Sequence, residues 1–456
     1  MRFGSMAELV DLQNGIVSRD IFVDRDIYER EQEQVFARCW LFVGHESQVP
    51  KPGDYFVSRM GEESVILTRD MQGSVHVLLN TCRHRGMKVC RYDEGNTRVF
   101  TCPYHGWTYS IDGRVVEVPG GLSGVPYYED AYHGKLDKSQ WGLIEVAQMA
   151  NYKGSIWATW DSAAPSFEDY MGDMKLWLDL LLDCRDGREG GSEVLMGVQK
   201  WRLKSNWKFA AENFAGDFHH GAPTHRSVEA VGIAFGDSEN QDRHGRRRGV
   251  GIAGSNDAKR QGVISFPQLG HAVRGGLSTA HDDRVPSFND PVINDYFQHL
   301  YQERQRRRQG QLQPQGNGGN VFPNASFHCH YPRTILVSHP RGPMATEEWR
   351  WYLVDKDAPA EVKDLLRHYY MRYSGPSGMT EQDDMENWSY ASEASNGVIA
   401  RRYPYNYEMG LGYAVPVEGL RGAVDSSFWI SEENARTLLR RWVALMDAKS
   451  WSDLPA

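Results

Sequence analysis

The spacing of hydrophobic positions changes along the chain and divides it into segments. Over residues 26–40 the apolar side chains fall on one stripe, which predicts an amphipathic helix. From residue 41 to about residue 160, short β-rich runs such as VHVLL at 75–79 alternate with Pro-Gly, Arg-Asp and Asp-Gly turns. This alternation is typical of a small antiparallel β domain.

Beyond residue 160, helical and strand-like patterns alternate. The pattern predicts helices over 167–182 and 207–220 and strands over 193–203, 326–338 and 348–354. A further helix has one apolar face, formed by Val362, Leu365, Leu366, Tyr369 and Tyr370. A last helix, after Ser431, aligns Ala435, Leu438, Leu439, Trp442 and Met446. Residues 231–320 lack sustained periodicity, so we expect solvated loops and one polar helix there.

The order of these elements predicts an α+β fold. We expect an antiparallel β-rich domain over 41–160, inserted in a larger α+β domain over 161–456 whose antiparallel sheet is flanked by helices. Residues 1–40 are expected to form a helical segment that packs on the larger domain.

Composition excludes several classes of protein. The 456 residues include 51 Lys and Arg against 60 Asp and Glu, and a net charge of -9 argues against nucleic-acid binding. No apolar run approaches the roughly 20 residues that span a bilayer, so we expect no membrane segment. Six cysteines are too few for a disulfide scaffold, and a reducing cytoplasm is the expected location.

Two short loops each offer one thiolate and one imidazole. Cys82 and His84 form a Cys-x-His loop, and Cys102 and His105 form a Cys-x-x-His loop after seventeen intervening residues. Zinc could take all four ligands on one tetrahedral ion. A Rieske-type [2Fe–2S] cluster would place both cysteines on one iron and both histidines on the other. The mixed loops favour the cluster, with zinc and ordinary core residues as alternatives.

A second set of ligand types lies within residues 206–225. On a continuous helix, Asn213, Asp217 and His220 would share one face, and His225 would fold back beside His220 after the helix breaks at Gly221 and Pro223. Two imidazoles and one carboxylate would form a facial triad, which leaves adjacent positions open on Fe(II). The alternative is a set of ordinary core or surface histidines.

The third ligand of such a triad must come from elsewhere in the chain. The acidic segment 381–388 is the candidate. Its alternative role is a solvated helix N-terminus, where the helix dipole favours carboxylates.

Three motifs, in this order, resemble the catalytic α subunit of the Rieske-type aromatic-ring-hydroxylating oxygenases. They are CxH-x17-CPYHGW, NWKxxxENxxxDxxHxxxxH and EQDDxENW. The resemblance covers nearly the whole chain. It implies cluster ligands Cys82, His84, Cys102 and His105, and mononuclear iron ligands His220, His225 and Asp384.

The resemblance also implies a role for residues beside the iron. Asp217 matches the carboxylate that links a cluster histidine of one subunit, here His105, to an iron histidine of its neighbour, here His220. Such a link requires head-to-tail packing in a three-fold ring, because the two centres of one chain lie too far apart. Asp217 and Asn213 are the predicted catalytic residues, and Asp383 is expected to lie behind the ligands or to cap its helix.

Two positions depart from the family pattern. His219 precedes the first iron histidine where the family usually has Tyr, and Pro223 stands where a larger residue is common. The D-x-x-H spacing nevertheless favours His220 as the ligand.

The expected activity is that of a terminal oxygenase component. The resemblance implies insertion of both atoms of O2 into an aromatic hydrocarbon to give a cis-dihydrodiol. No dinucleotide-binding fingerprint follows a strand, so electrons from NADH are expected to arrive through a ferredoxin, a reductase or both. Chain length near 450 is similar to members that assemble with a small β subunit as α3β3, with a bare α3 ring as the alternative.

Two other functions stay open from the sequence. One is monohydroxylation of an aromatic acid such as a salicylate-type substrate. The other is an electron-transfer or zinc-binding structural protein without a second iron site.

A pocket lined by apolar and small side chains is expected beside the iron. Small residues suggest room for a bulky or polycyclic hydrocarbon. The predicted lining residues are Phe214, Phe218, Gly221, Ala222, Ile335, Ser374 and Thr380. Alternatively, His328, His330 and Arg333 place positive charge near a substrate carboxylate, or else face outward from a strand.

Overall fold

The computed structural model describes residues 4–117, 124–217, 219–226, 262–278, 291–329, 332–426 and 430–454. The chain divides into two compact units. One comprises Met1–Val35 with Pro165–Ala456, and the other is Phe36–Ala164. Helices and strands are mixed, and every strand pairing within the described residues is antiparallel. The predicted α+β class is confirmed.

The unit Phe36–Ala164 is built mainly from short strands. In order of pairing, one sheet contains Val75–Leu79, Glu63–Arg69, Asp54–Met60 and Glu94–Asn96, a second contains Gln148–Tyr152, Ser155–Thr159 and Leu41–His45, and Val99–Thr101 pairs with Thr108–Ser110. Short helical segments are Glu46–Gln48, Tyr128–Tyr132 and Lys138–Trp141. The predicted strands are confirmed, and the cross-strand pair Ile66 and Leu78 is buried in one core.

The larger unit is organised around one long antiparallel sheet. Its strands within the described residues, in order of pairing, are Ser192–Val194, Ala345–Asp355, Thr334–Gly342, Ala325–His328, Gln313–Val321, His271–Ser278, Val263–Phe266, Val424–Asp425 and Val415–Pro416. One more strand, Gln199–Leu203, lies off this path and also pairs with Ala345–Asp355. A small separate sheet contains Val10–Asp11, Ile16–Val17 and Tyr405–Asn406.

Helices accompany this sheet. The α-helices are Asp20–Val23, Arg25–Glu31, Phe167–Met171, Lys175–Leu182, Trp207–Gly216, Gly221–Thr224, Pro291–Arg308, Ala360–Tyr373, Met379–Ser395 and Glu433–Asp447. The 3-10 helices are Met6–Glu8, Gly172–Met174, Ala400–Arg402 and Trp451–Asp453. No helix in the described ranges is long and apolar enough to cross a membrane.

Several predicted helices differ in their bounds. The helix predicted over 26–40 is α-helical only over Arg25–Glu31 and continues as a π-helical turn over Gln32–Phe36. The helix predicted over 167–182 is interrupted by Gly172, whose φ of 50° is left-handed. The last helix is confirmed, and all five aligned apolar residues are buried.

The strand predictions also need correction. The segment 193–203 forms two strands because Met196 adopts a φ of 71°, which leaves the extended conformation between them. The segment 326–338 likewise contains the end of one strand and the start of another. Within 231–320, the polar helix is confirmed as Pro291–Arg308, but this region also contains three sheet strands that were not predicted. The remainder of that region lies outside the described residues.

A buried ion pair ties the N-terminal segment to the helix Trp207–Gly216. The ammonium of Lys208 contacts the carboxylate of Glu31, and both side chains are fully buried. The same carboxylate accepts hydrogen bonds from the indole N–H groups of Trp207 at 3.1 Å and Trp442 at 2.8 Å. A charged group in the core is stable only with such partners.

Candidate functional site

The two cysteine–histidine loops repeat one turn. The N–H of Gly86 donates to the carbonyl of Cys82 at 2.9 Å, and the N–H of Gly106 donates to the carbonyl of Cys102 at 3.0 Å. Both glycines have positive φ, 72° and 76°, which other residues rarely adopt. A glycine at the same offset after each cysteine therefore sets the shape of both loops.

The predicted cluster ligands come together in this unit. Cys82 and Cys102 are each 2% exposed, and neither forms a disulfide. The rings of His84 and His105 lie 4.5 Å apart between centroids. His84 stacks on Trp107 at 5.4 Å with almost parallel planes. The two loops thus offer two thiols and a pair of adjacent imidazoles.

The donor chemistry of this set fits a [2Fe–2S] cluster. Nδ1 of His84 is buried without a hydrogen-bond partner, as expected for a nitrogen that binds metal. Burial, with the nearby His105 and Arg85, lowers the pKa of His84 and favours the neutral imidazole that binds metal. Burial raises the pKa of the Cys102 thiol, which interacts with Cys82.

Tyr109 supports the first loop. Its hydroxyl oxygen accepts the N–H of Arg83 at 3.1 Å and lies 3.2 Å from Sγ of Cys82. A cysteine thiolate that binds a cluster has no hydrogen to donate, so with the cluster in place the hydroxyl of Tyr109 would donate to the sulfur. Hydrogen bonds to cluster sulfurs are one means by which proteins set the reduction potential.

The helix Trp207–Gly216, called the ligand helix below, ends earlier than predicted. Asn206 caps its start, and the helix stops at Gly216, so Asp217 and His220 are not on it. A Cβ atom at Gly216 would lie 2.8 Å from the terminal amide group of Asn434, which shows how closely the helix end is packed. The predicted shared helical face over 213–220 is therefore wrong, although the three side chains still meet.

A second helical turn returns the chain to the site. Gly221 and Pro223, predicted to break a helix, instead lie in the short helix Gly221–Thr224. The N–H of His225 donates to the carbonyl of Gly221 at 3.1 Å. This turn places the ring of His225 5.1 Å from that of His220.

His220, His225 and Asp384 converge on one point. The two Nε2 atoms are 3.2 Å apart, and Oδ1 of Asp384 lies 3.5 Å from Nε2 of His220 and 3.4 Å from Nε2 of His225. Ligand atoms about 2.1 Å from one ion, with angles near 90–110°, would be separated by about 3.0–3.4 Å. The triangle therefore fits one first-row metal ion with two imidazoles and one carboxylate.

Carboxylates lie on the far side of both imidazoles. Oδ1 of Asp217 is 3.4 Å from Nδ1 of His220, and Oδ2 of Asp383 is 3.3 Å from Nδ1 of His225. Such carboxylates fix the ring orientation and keep Nε2 available for the metal. His219, the departure from the family pattern, points Nδ1 at the same Asp217 oxygen at 3.1 Å.

The electrostatics of the triangle also fit a cation. Burial raises the pKa of Asp384 to about 8, and the carboxylates of Glu381 and Asp217 act in the same direction against the opposing effect of His220. Burial and the charge of His220 lower the pKa of His225. A cation at this point would favour the ionised carboxylate and the neutral imidazoles.

The other predicted residues lie in different surroundings. Nδ2 of Asn213 is 3.4 Å from Nε2 of His220, and Phe214 is buried beside it on the ligand helix. Ile335 is buried in the sheet and Ser374 follows the helix Ala360–Tyr373. The hydroxyl of Thr380 donates to the carbonyl of Tyr373. No atom of the residues that the structure describes lies within 4 Å of the Cβ position at Gly221. Phe218 and the side chain of Ala222 lie outside the described residues.

The expectations for Arg333 were wrong in both forms. It is 1% exposed, so it does not face outward, and its Nη1 donates to Oδ1 of Asp355 at 2.7 Å. Its other nitrogens donate to the carbonyls of Leu181 and Asp183, so this arginine holds the fold. His330 lies outside the described residues.

One residue near the site was missed by the sequence reasoning. Arg274, in the strand His271–Ser278, is buried, and its Nη2 lies 2.9 Å from Nε2 of His328. The signal available in the sequence was an arginine followed by two glycines, opposite a second glycine-rich run at 316–319.

Comparison with known proteins agrees with both centres. Residues 39–129 match the family model of the Rieske [2Fe-2S] domain, and residues 192–446 match that of the ring hydroxylating alpha subunit catalytic domain. The chain therefore belongs to the alpha subunits of the Rieske-type ring-hydroxylating dioxygenases. These oxidoreductases use a [2Fe–2S] cluster, a mononuclear iron and O2, with electrons supplied by partner proteins.

Individual relatives cover almost the whole chain. The alpha subunit of biphenyl 2,3-dioxygenase from Rhodococcus jostii (strain RHA1) is 37% identical over 99% of this chain and 93% of its own length. The alpha subunit of benzene 1,2-dioxygenase from Pseudomonas putida is 36% identical over 98% and 95%. The crystal structure of naphthalene 1,2-dioxygenase from Rhodococcus sp. bound to indole is 34% identical, with a TM-score of 0.77 over 95% of each chain.

Proposed function

We propose that this alpha subunit is the terminal oxygenase component that inserts both atoms of O2 into a bulky or polycyclic aromatic substrate to give a cis-dihydrodiol. The observation that carries the proposal is the convergence of His220, His225 and Asp384 within 3.5 Å of one another. The relatives named for biphenyl, benzene and naphthalene support an aromatic ring as the reacting group. Among the described residues, none has an atom within 4 Å of a Cβ position at Gly221, which supports a large one.

The proposed ligands are those whose side chains lie together. Cys82, His84, Cys102 and His105 would hold the cluster, and His220, His225 and Asp384 would hold the iron. When bound, the cluster relays single electrons, and the iron offers open positions where O2 is activated. The domain bounds that go with this proposal are 41–160 for the cluster and 161–456 for the iron, with 1–40 packed on the latter.

Residues of the chain itself hold and orient the ligands. Oδ1 of Asp217 lies 3.4 Å from Nδ1 of His220, and we propose that its carboxylate also accepts a hydrogen bond from His105 of a neighbouring copy. His105 is only partly buried, as a residue that meets another copy should be in an isolated chain. Asn213 lies against Nε2 of His220 and can donate a hydrogen bond to a group held at the iron.

The proposed partners follow from the same argument. Electrons from NADH would reach the cluster through a ferredoxin, a reductase or both. The relatives are named as subunits, which supports a small β subunit and an α3β3 assembly over a bare α3 ring.

The first experiment measures metal content and products together. The purified enzyme is expected to hold about three irons and two sulfides per chain. With a surrogate ferredoxin system and 18O2, a panel of one- to four-ring arenes should give cis-dihydrodiols that carry two labelled atoms. A colourless zinc protein contradicts the proposal, and so does incorporation of a single labelled atom.

The second experiment tests the role of Asp217. Asp217→Asn should retain both metal centres yet stop electron transfer from the reduced cluster, measured by single-turnover reoxidation. Glu386→Asn, exposed on the helix Met379–Ser395, is the matched control. Full activity in Asp217→Asn would contradict the link.

A further inference from the structure

Arg350 and Glu381 form an ion pair in the interior of the larger unit. Nη2 of Arg350 lies 2.5 Å from Oε2 of Glu381, and the two side chains are 0% and 3% exposed. Arg350 lies on the strand Ala345–Asp355, where it pairs with Gln199 on one side and with Leu336 on the other. Because this strand has hydrogen-bonded neighbours on both sides, the sheet fixes the position of the arginine.

Glu381 shares one face of its helix with the proposed iron ligand Asp384. The two residues are three positions apart on the helix Met379–Ser395, so their side chains are neighbours. Both are buried, as is Trp388 one turn further along, whereas Gln382 between them is exposed. Burial raises the pKa of Asp384, and the charge of Glu381 acts in the same direction, which agrees with this proximity. The ion pair therefore holds the helix at the turn from which Asp384 projects.

The guanidinium of Arg350 also contacts the ligand helix. It lies over the ring of Phe214, 5.5 Å from the ring centroid, which is within the range of a cation–π interaction. Phe214 follows Asn213, whose Nδ2 is 3.4 Å from Nε2 of His220. One arginine of the sheet thus contacts both the helix that carries Asp384 and the helix that leads to the iron histidines.

Glu381, rather than a closer carboxyl group in the sequence, is the ionised partner of Arg350. Glu348 lies two residues before Arg350, on the same face of the strand, and accepts a hydrogen bond from Ser338 at 2.8 Å. Burial, with the charge of Glu381, raises the pKa of Glu348 to about 8, so Glu348 holds a proton at neutral pH. Oε1 of Glu381 has no hydrogen-bond partner within the described part of the chain. Among those residues, Arg350 is therefore what holds the carboxylate in place.

Building on the proposed function, we propose that Arg350 is a positioning residue for the iron site. Through Glu381 it fixes the start of the helix that carries Asp384, and through Phe214 it fixes the end of the ligand helix. The distances of 3.4 and 3.5 Å from Oδ1 of Asp384 to the two imidazoles depend on both contacts. Loss of the pair displaces the carboxylate from the histidines, and small displacements at such a site have large effects.

The first test measures iron affinity in matched variants. The holoenzyme is titrated anaerobically with a ferrous chelator, while the visible absorption of the cluster shows that only the mononuclear iron is removed. Glu381→Gln and Arg350→Met should each weaken iron binding by about tenfold or more. Asp355→Asn breaks an equally buried pair with Arg333 in the same sheet and should leave the affinity unchanged. An equal loss in Asp355→Asn overturns the proposal, because the effect is then one of general stability.

The direction of the two changes separates positioning from charge. An effect of charge alone has opposite signs, because Glu381→Gln removes a negative charge near the cation and Arg350→Met removes a positive one. Weaker binding in both variants supports positioning, and opposite signs overturn it. Arg350→Lys keeps the charge but not the planar fork, so it should give an intermediate loss. If Arg350→Met does not fold by circular dichroism, Arg350→Lys carries the same test.

A spectroscopic measurement reports the ligand arrangement directly. Nitric oxide added to the ferrous enzyme is the probe, and the rhombicity of its electron paramagnetic resonance signal is compared between proteins loaded with iron. Arg350→Lys should differ from the wild type, and Asp355→Asn should match it. Coincident signals and equal iron affinities in the folded variants overturn the positioning role alone. A wild-type protein that binds no mononuclear iron overturns the proposed function, and this role with it.

Discussion

Oδ2 of Asp383 lies 3.3 Å from Nδ1 of His225, while the neighbouring Asp384 faces Nε2 of the same ring at 3.4 Å. One imidazole is therefore held between two consecutive carboxylates of one helix. Only the second carboxylate belongs to the metal triangle, and the first orients the ring from behind.

This relationship predicts the effect of removing the rear carboxylate. Asp383→Asn should weaken iron binding or activity by about 10- to 100-fold, because a carboxylate behind a ligand histidine raises its basicity. Iron affinity can be measured by competition with a chelator. Glu386→Gln on the exposed side of the helix is the control, and equal loss in both variants would contradict the role of Asp383.

The hydrogen bond from Tyr109 to Cys82 predicts a shift in the cluster potential. The bond stabilises the more negative, reduced cluster, so Tyr109→Phe should give a more negative potential with the cluster retained. A redox titration followed by visible absorption measures the shift. Tyr92→Phe removes an exposed hydroxyl of the same unit and should leave the potential unchanged. An unchanged potential in Tyr109→Phe would show that the bond is absent.

The buried pair of Glu31 and Lys208 predicts a large loss of stability. Glu31→Gln leaves the ammonium of Lys208 buried without its countercharge and should lower the free energy of unfolding by about 3–5 kcal/mol. Urea unfolding followed by tryptophan fluorescence provides the measurement. Glu29→Gln breaks an exposed pair with Arg25 and should cost less than about 1 kcal/mol. Similar losses in the two variants would be inconsistent with the buried pair.

The raised pKa of the buried Glu348 carboxyl should make the stability of the protein depend on pH. Burial, with the neighbouring Glu381, raises the pKa of Glu348 to about 8 from 4.5, so the folded protein holds a proton there that the unfolded chain releases. Stability from this group is complete below pH 4.5 and decreases as the pH rises toward 8.

Glu348→Gln removes this dependence. The Tm of the variant minus that of the wild type should therefore increase between pH 5 and pH 8. The exposed Glu361→Gln should give a constant difference over that range. A constant difference for Glu348→Gln as well would mean that the buried carboxyl titrates normally.

The features predicted most accurately from the sequence are those that depend on residues close together in the chain. The two cysteine–histidine loops were predicted from the short spacing of their ligands, and the last helix from its apolar stripe. The ligand assignments for both metals stay predictions, although the side chains lie where those assignments require them.

What the sequence did not predict depends on packing between distant segments. The ligand helix ends at Gly216, where the chain packs closely on Asn434, a contact between distant segments that no local pattern reveals. The strand His271–Ser278 and its partner at 313–321 are rich in glycine and polar residues, so alternation was hidden. Those same glycines give room to Arg274 and His328, and the pair was therefore missed together with the strands.

His225 and Asp384 belong to segments separated by residues 226–383, which include most of the long sheet. An ion bound by both acts as a removable cross-link that closes this large loop, and its binding energy adds to the folding of everything inside. Loss of iron would then make the enzyme more susceptible to proteolysis as well as inactive. The supply of the metal in the cell would govern how long each molecule survives, in addition to how fast it works.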